Sequence, residues 1–168
     1  MNSKVSETIR EMTFNALLAA LYVVFTLVIS PIAFNAIQFR LSELFVLFCF
    51  FNKRYTIGLT LGCLIANIFS PLGALDIAFG TSATLLACLG IMFCKHLIVA
   101  IWFPVIMNAT LVAAELYILG EPYWWSFMWV AIGEFAVMAI AYIVFFILRK
   151  NQTFFRAIRA TQNTEFKF

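Results

Sequence analysis

Charge is scarce in this chain: Asp, Glu, Lys and Arg make up 11% of its 168 residues, under half the roughly 25% usual for soluble domains. With 64% hydrophobic residues and a mean hydropathy of +1.00, the composition excludes a soluble globular domain and points to a membrane protein. Histidine occurs once, at His96, and Cys49, Cys63, Cys88 and Cys94 form no C-x-x-C pair. That speaks against a metal site or a thiol redox enzyme and for small buried side chains. The sequence holds no phosphate-binding glycine loop, no paired intramembrane aspartates and no nucleophile-base-orienter set, so catalysis has little to stand on. No catalytic residue, cofactor, metal or nucleic-acid partner is expected.

What the chain does have is long apolar runs. The first follows Lys4, Glu7, Arg10 and Glu11 without a small-residue cleavage site, so a removable signal peptide is not expected. Proline and basic residues punctuate the rest into an all-α membrane bundle of six helices within one domain, residues 1–168. The helices are expected at about 12–32, 39–51, 55–69, 76–93, 97–119 and 124–148, against about 20 residues for a full span. Ser30-Pro31 stops the first, Ser70-Pro71-Leu72-Gly73 and Gly120-Glu121-Pro122 form loops, and Pro104 kinks the fifth. The second is short for a full span. A basic tail, 149–168, is expected along the membrane surface.

Ten of the eleven Lys and Arg fall at the N-terminus, at Lys53 and Arg54, at Lys95 and in the tail; Arg40 stands apart. The positive-inside rule then places both termini in the cytoplasm of a multi-pass protein of the cell membrane.

Five acids, Glu43, Asp76, Glu115, Glu121 and Glu134, lie in or beside apolar runs. A carboxylate in hydrocarbon costs several kcal/mol unless it faces a polar cavity or a partner, so such acids mark a candidate site. The topology gathers them. Glu43 starts a descending helix, Asn67 ends the third, Asp76 opens the fourth and Glu115 stands about 27 Å above Leu97 by helical rise. Asn108 is mid-span and two turns from Glu115 on one helix face; Glu134 lies about 15 Å below the start of its helix. These groups form a layer in the outer half, suited to a cation or a ligand with several N–H donors, because ionised carboxylates only accept hydrogen bonds.

Structural readings stand beside the functional ones. Glu43 lies three residues from Arg40 and can pair with it at the membrane surface; Asp76 can cap the fourth helix; Glu121 reads as a solvated loop residue. Asn67 and Asn108 can bridge helices. Tyr123, Trp124, Trp125 and Trp129 are either an aromatic belt or a stacking wall for a flat ligand. Ala16 and Ala20 give the first helix a small-xxx-small face, which packs within the chain or docks a partner.

Three stretches carry a resemblance: Ile37-Gln38-Phe39-Arg40-Leu41-Ser42-Glu43, then residues 62–73, Gly-Cys-Leu-Ile-Ala-Asn-Ile-Phe-Ser-Pro-Leu-Gly, then Asp76-Ile77-Ala78-Phe79-Gly80-Thr81. Over nearly its whole length the chain resembles the queuosine-precursor transporter (QueT) family, the substrate-binding S-components of energy-coupling factor (ECF) importers. The resemblance implies a 7-deazaguanine substrate captured from outside, with a coupling transmembrane subunit and two ATP-binding cassette subunits as partners in the lipid bilayer. It also implies that Ala16 and Ala20 are the docking motif for the coupling subunit.

On this reading Glu115 or Glu134 accepts the guanine-type N1–H and exocyclic amine, and Glu43 or Asp76 neutralises a side-chain ammonium. Asn67 and Asn108 meet the ring oxygen and nitrogen, Arg40 belongs to the same outer layer, and Trp124, Trp125 and Phe39 stack on the ring. A stand-alone facilitator or proton-coupled transporter, an S-component for a different vitamin, and a structural subunit remain the alternatives.

Overall fold

The computed structural model describes residues 3–29 and 39–158, and these are helical, without strands. In chain order the elements are α1 (Ser3–Val28), a 3-10 segment (Leu41–Leu47) continuing into α2 (Phe48–Phe51), α3 (Tyr55–Ile68), α4 (Ala74–Ile91), α5 (Leu97–Ala100), α6 (Trp102–Ile118), α7 (Tyr123–Leu148) and α8 (Gln152–Ala157). The expected stop at Ser30-Pro31, the Ile37-Gln38 start of the motif and the tail beyond residue 158 lie outside the described residues.

Four stretches are long and apolar enough to cross a membrane: Val5–Val28, Ala74–Ile91, Leu97–Ile118 and Tyr123–Leu148. The Leu41–Phe51 and Tyr55–Ile68 stretches are apolar but shorter. The 14 residues of α3 rise about 21 Å, well under the roughly 30 Å of bilayer hydrocarbon.

Two expectations are corrected. The first helix starts at Ser3 rather than residue 12, because the Lys, Glu and Arg that precede its apolar part are good helix formers and propagate it outward. The second begins as a tighter 3-10 turn, which gains about 2.0 Å per residue instead of 1.5. The fifth keeps to its expected course, Leu97–Ile118: Pro104 has no N–H for the Ala100 carbonyl, which divides the element at Ile101, while Ile101 itself stays helical at φ −63° and ψ −22°.

Each helix packs mainly on its neighbour, α1 on α3, α3 on α4, α4 on α6 and α6 on α7, while the 3-10 segment touches α1, α4 and α7. It therefore sits in the middle of the bundle. Close approach depends on small residues. A Cβ added at Gly58 would come within 2.4 Å of the Asn15 carbonyl oxygen, and one at Gly62 within 2.9 Å of Ala19 Cα. Asn15 Oδ1 also accepts the backbone N–H of Gly58 at 2.8 Å, a side-chain bond that ties α1 to the first turn of α3.

Basic residues collect at one end. Arg54 pairs with Glu11, Arg10 donates to the Ala157 carbonyl at 3.4 Å and the Tyr55 hydroxyl donates to the Ile158 carbonyl at 2.7 Å. Thr56 meets Met92 there at 3.5 Å, which brings the turn with Lys95 to the same end. Phe154 and Phe155 of α8 close that end over the main core, against Phe48, Phe51 and Phe145. A smaller apolar cluster of Ala109, Val112 and Val130 joins α6 to α7.

Candidate functional site

The half of the bundle away from the basic end holds a cluster of buried polar side chains. Arg40, just ahead of the 3-10 segment, pairs with Asp76 in the first turn of α4, Nη2 to Oδ1 at 2.6 Å, and both side chains are almost wholly inaccessible. Asn67, at the end of α3, donates through Nδ2 to the Asp76 carbonyl at 3.0 Å and lies 3.3 Å from Thr81 Oγ1. Gly80 makes room for this group. A Cβ there would stand 2.8 Å from Asn67 Nδ2, 2.9 Å from Asp76 Oδ1 and 3.0 Å from Arg40 Nη1.

Glu43 is completely buried. Its Oε1 accepts the hydroxyl of Tyr22 from α1 and that of Thr84 from α4 at 3.0 Å, while Oε2 has no protein donor. Asn108 of α6 lies beside both Glu43 and Glu134, with its Nδ2 unmatched. Glu134 of α7 is buried with Oε2 unmatched, and Glu115 of α6 is buried with neither oxygen matched. Glu115 is within electrostatic reach of Asp76 and Arg40, which makes one continuous constellation.

The structure thus brings together Arg40, Glu43, Asn67, Asp76, Asn108, Glu115 and Glu134. Two pairings differ from expectation. Arg40 and Glu43 are both buried rather than at a surface, and the guanidinium goes to Asp76 while Glu43 takes the two hydroxyls. Asp76 is not the cap of its helix, since Gly73 holds that position without a side-chain bond. A buried guanidinium demands a carboxylate more strongly than a helix end demands a cap.

The remaining expected residues lie outside the cluster or at its margin. Trp124 and Trp125 are 73% and 59% exposed and meet their neighbours Tyr123, Phe127 and Trp129 on the surface of α7. Phe39 is half-buried against the main core. Glu121 is exposed in its loop, and Ala16 and Ala20 are exposed on α1. Sequence reasoning missed Tyr22, Thr84, Ser42 and Thr26. The available signal was hydroxyls four residues apart, Tyr22 and Thr26, on an otherwise apolar helix.

Four buried carboxylates thus share one buried guanidinium, which contacts Asp76 and lies within electrostatic reach of the other three. A buried charge or polar group without a partner costs free energy, so the unmatched oxygens of Glu43, Asp76, Glu115 and Glu134 form an acceptor-rich lining. Its chemistry fits N–H donors and cations and disfavours anions.

Comparison with known proteins agrees in class. The family model described as QueT transporter matches residues 12–150. "Queuosine precursor transporter QueT" of Lactococcus lactis subsp. cremoris (strain MG1363) is 33% identical over 143 residues, covering 74% of this chain and 83% of the relative. No solved structure gives a significant match. With the match running from α1 through α7 and taking in every carboxylate of the buried cluster, the chain belongs to the QueT transporter family, which makes it a transport protein rather than an enzyme.

Proposed function

We propose that the chain binds a queuosine precursor of the 7-deazaguanine type in the buried acidic cluster and serves as the substrate-binding S-component of an ECF-type importer. The observation that carries this is the excess of buried carboxylate oxygens without protein donors at Glu43, Glu115 and Glu134. A guanine-like edge presents an N1–H and an exocyclic amine that one carboxylate accepts as a bidentate pair; Glu115, with both oxygens unmatched, and Glu134 are the candidates. An aminomethyl ammonium needs a second carboxylate. Arg40 already answers the charge of Asp76 through Oδ1, although Asp76 Oδ2 is unmatched, so Glu43 takes that role, and Asn108, beside Glu43 and Glu134, meets a ring heteroatom.

The collection of basic residues at one end of the bundle supports an orientation with that end, and both termini, in the cytoplasm. Six membrane segments follow if the bilayer thins around the two shorter stretches. The site then opens away from the cytoplasm. Ala16 and Ala20, exposed on α1, are available to a coupling transmembrane subunit, with two ATP-binding cassette subunits supplying the energy.

The test is calorimetric titration of the detergent-purified chain with aminomethyl-deazaguanine, its nitrile precursor, queuine and guanine. Selective binding of one deazaguanine over guanine is expected, and its absence in a folded sample overturns the substrate assignment. In proteoliposomes, uptake is expected only with the partner subunits and ATP. Uptake by this chain alone would replace the S-component reading with a self-sufficient transporter.

A further inference from the structure

The Glu43 carboxylate is held unevenly. Both hydroxyl donors, from Tyr22 and Thr84, converge on Oε1, and Oε2 is left buried without a protein donor. Tyr22 is itself fixed from behind, being 1% exposed, and a Cβ at Gly62 of α3 would come within 2.9 Å of its Cβ. One turn on, the Thr26 hydroxyl donates to the Tyr22 carbonyl at 2.9 Å and meets Ser42 Oγ at 2.6 Å. Each hydroxyl has a single proton, so Ser42 is the donor to Thr26. Two hydroxyls of α1 therefore grip two consecutive residues, Ser42 and Glu43, of the 3-10 segment.

We propose that Tyr22 is a positioning residue of the site: its hydroxyl holds Glu43 Oε1 so that Oε2 faces the ligand. This rests on reading the cluster as a substrate site. A phenol-to-carboxylate hydrogen bond is charge-assisted and directional, and it sets the rotation of the carboxylate about its last bond. Without it, Thr84 alone holds Oε1, and Thr84 is shared with Cys63 at 3.2 Å. The same bond makes α1, otherwise the helix with the least buried apolar span, part of the wall of the site. A shift of α1 against the 3-10 segment is then felt at Glu43, and ligand at Glu43 in turn favours one position of α1.

Tyr22→Phe removes the hydroxyl and keeps the ring and the Cβ that lies against Gly62. In the full chain, the infrared carboxylate band lost in Glu43→Gln identifies Glu43; a shift of that band in Tyr22→Phe is expected, and an unmoved band overturns the proposal. Affinity for aminomethyl-deazaguanine is expected to fall about tenfold or more in Tyr22→Phe and to fall no further when the change is made in a Glu43→Gln background. Equal losses in both backgrounds would make Tyr22 a packing residue only. If the unmodified chain binds no deazaguanine, the substrate reading fails by itself, and the infrared band still decides whether Tyr22 positions Glu43.

Discussion

Arg40 and Asp76, 36 residues apart in sequence, meet at 2.6 Å where neither is accessible to solvent. The pair ties the entry of the 3-10 segment to the first turn of α4, and Asn67 and Gly80 close around it. Removing one partner leaves an uncompensated buried charge, which costs about 3–5 kcal/mol. Arg40→Met and Asp76→Leu are each expected to lower the unfolding midpoint in detergent markedly, and the double variant to lose less than the sum of the two. Additive losses would mean that the two side chains do not act as a pair.

Gly80 is expected to tolerate no side chain. The added methyl of Gly80→Ala would enter the space between Asn67, Asp76 and Arg40, and overpacking of this kind costs about 1–3 kcal/mol. Substrate affinity should fall with stability. At Gly73, with φ of +62° and ψ of −127° and nothing within 4 Å of an added Cβ, the strain of alanine in this glycine-favoured conformation is about 1–3 kcal/mol, without loss of affinity. Thermal unfolding combined with calorimetric titration separates the two positions.

Glu115 and Glu134 are expected to trade stability for binding. Their unmatched buried oxygens are a desolvation cost in the empty protein. Glu115→Gln and Glu134→Gln are expected to unfold at the same or a higher temperature than the unmodified chain, while affinity for a deazaguanine falls about 100-fold, the worth of two charge-assisted hydrogen bonds. Unchanged affinity in both variants would remove these acids from the site.

The contact of α1 with α3 depends on Gly58. A Cβ there would come within 2.4 Å of a backbone oxygen of α1, and a backbone atom cannot rotate away, so Gly58→Ala is expected to destabilise by more than about 2 kcal/mol. Asn15→Ala, which removes the side-chain acceptor of the Gly58 N–H, should cost about 0.5–1.5 kcal/mol. Unfolding curves of the two variants and of their combination test this. The double variant should lose less than the sum, because both act on one contact.

Much of this protein was legible in its residues because the signals are local. Length and apolarity of a run set a helix, and a helix rises a constant distance per residue, so the heights of Asn67, Asp76, Asn108, Glu115 and Glu134 followed from where their runs begin. Those residues do converge. Partner choice was not legible. Arg40 lies three residues from Glu43, yet its ion pair is with Asp76. The spacing argument assumed a regular α-helix where the chain forms a 3-10 turn, and no local rule weighs a distant carboxylate against a near one. Tyr22 escaped because a tyrosine in an apolar helix looks like any other large side chain until something is placed against its hydroxyl.

By itself, then, the sequence determined the membrane class, the helical runs and the half of the bundle in which the acids lie, because composition, periodicity and helical rise act within one segment. Only the tertiary structure decided that the 3-10 segment lies amid α1, α4 and α7, that Tyr22 and Thr84 converge on one oxygen of Glu43, and that Glu115 is left without a donor. Those outcomes depend on which helices pack side by side. That packing is settled by small residues such as Gly58, Gly62 and Gly80, which let backbones and polar side chains approach to distances that no single segment encodes.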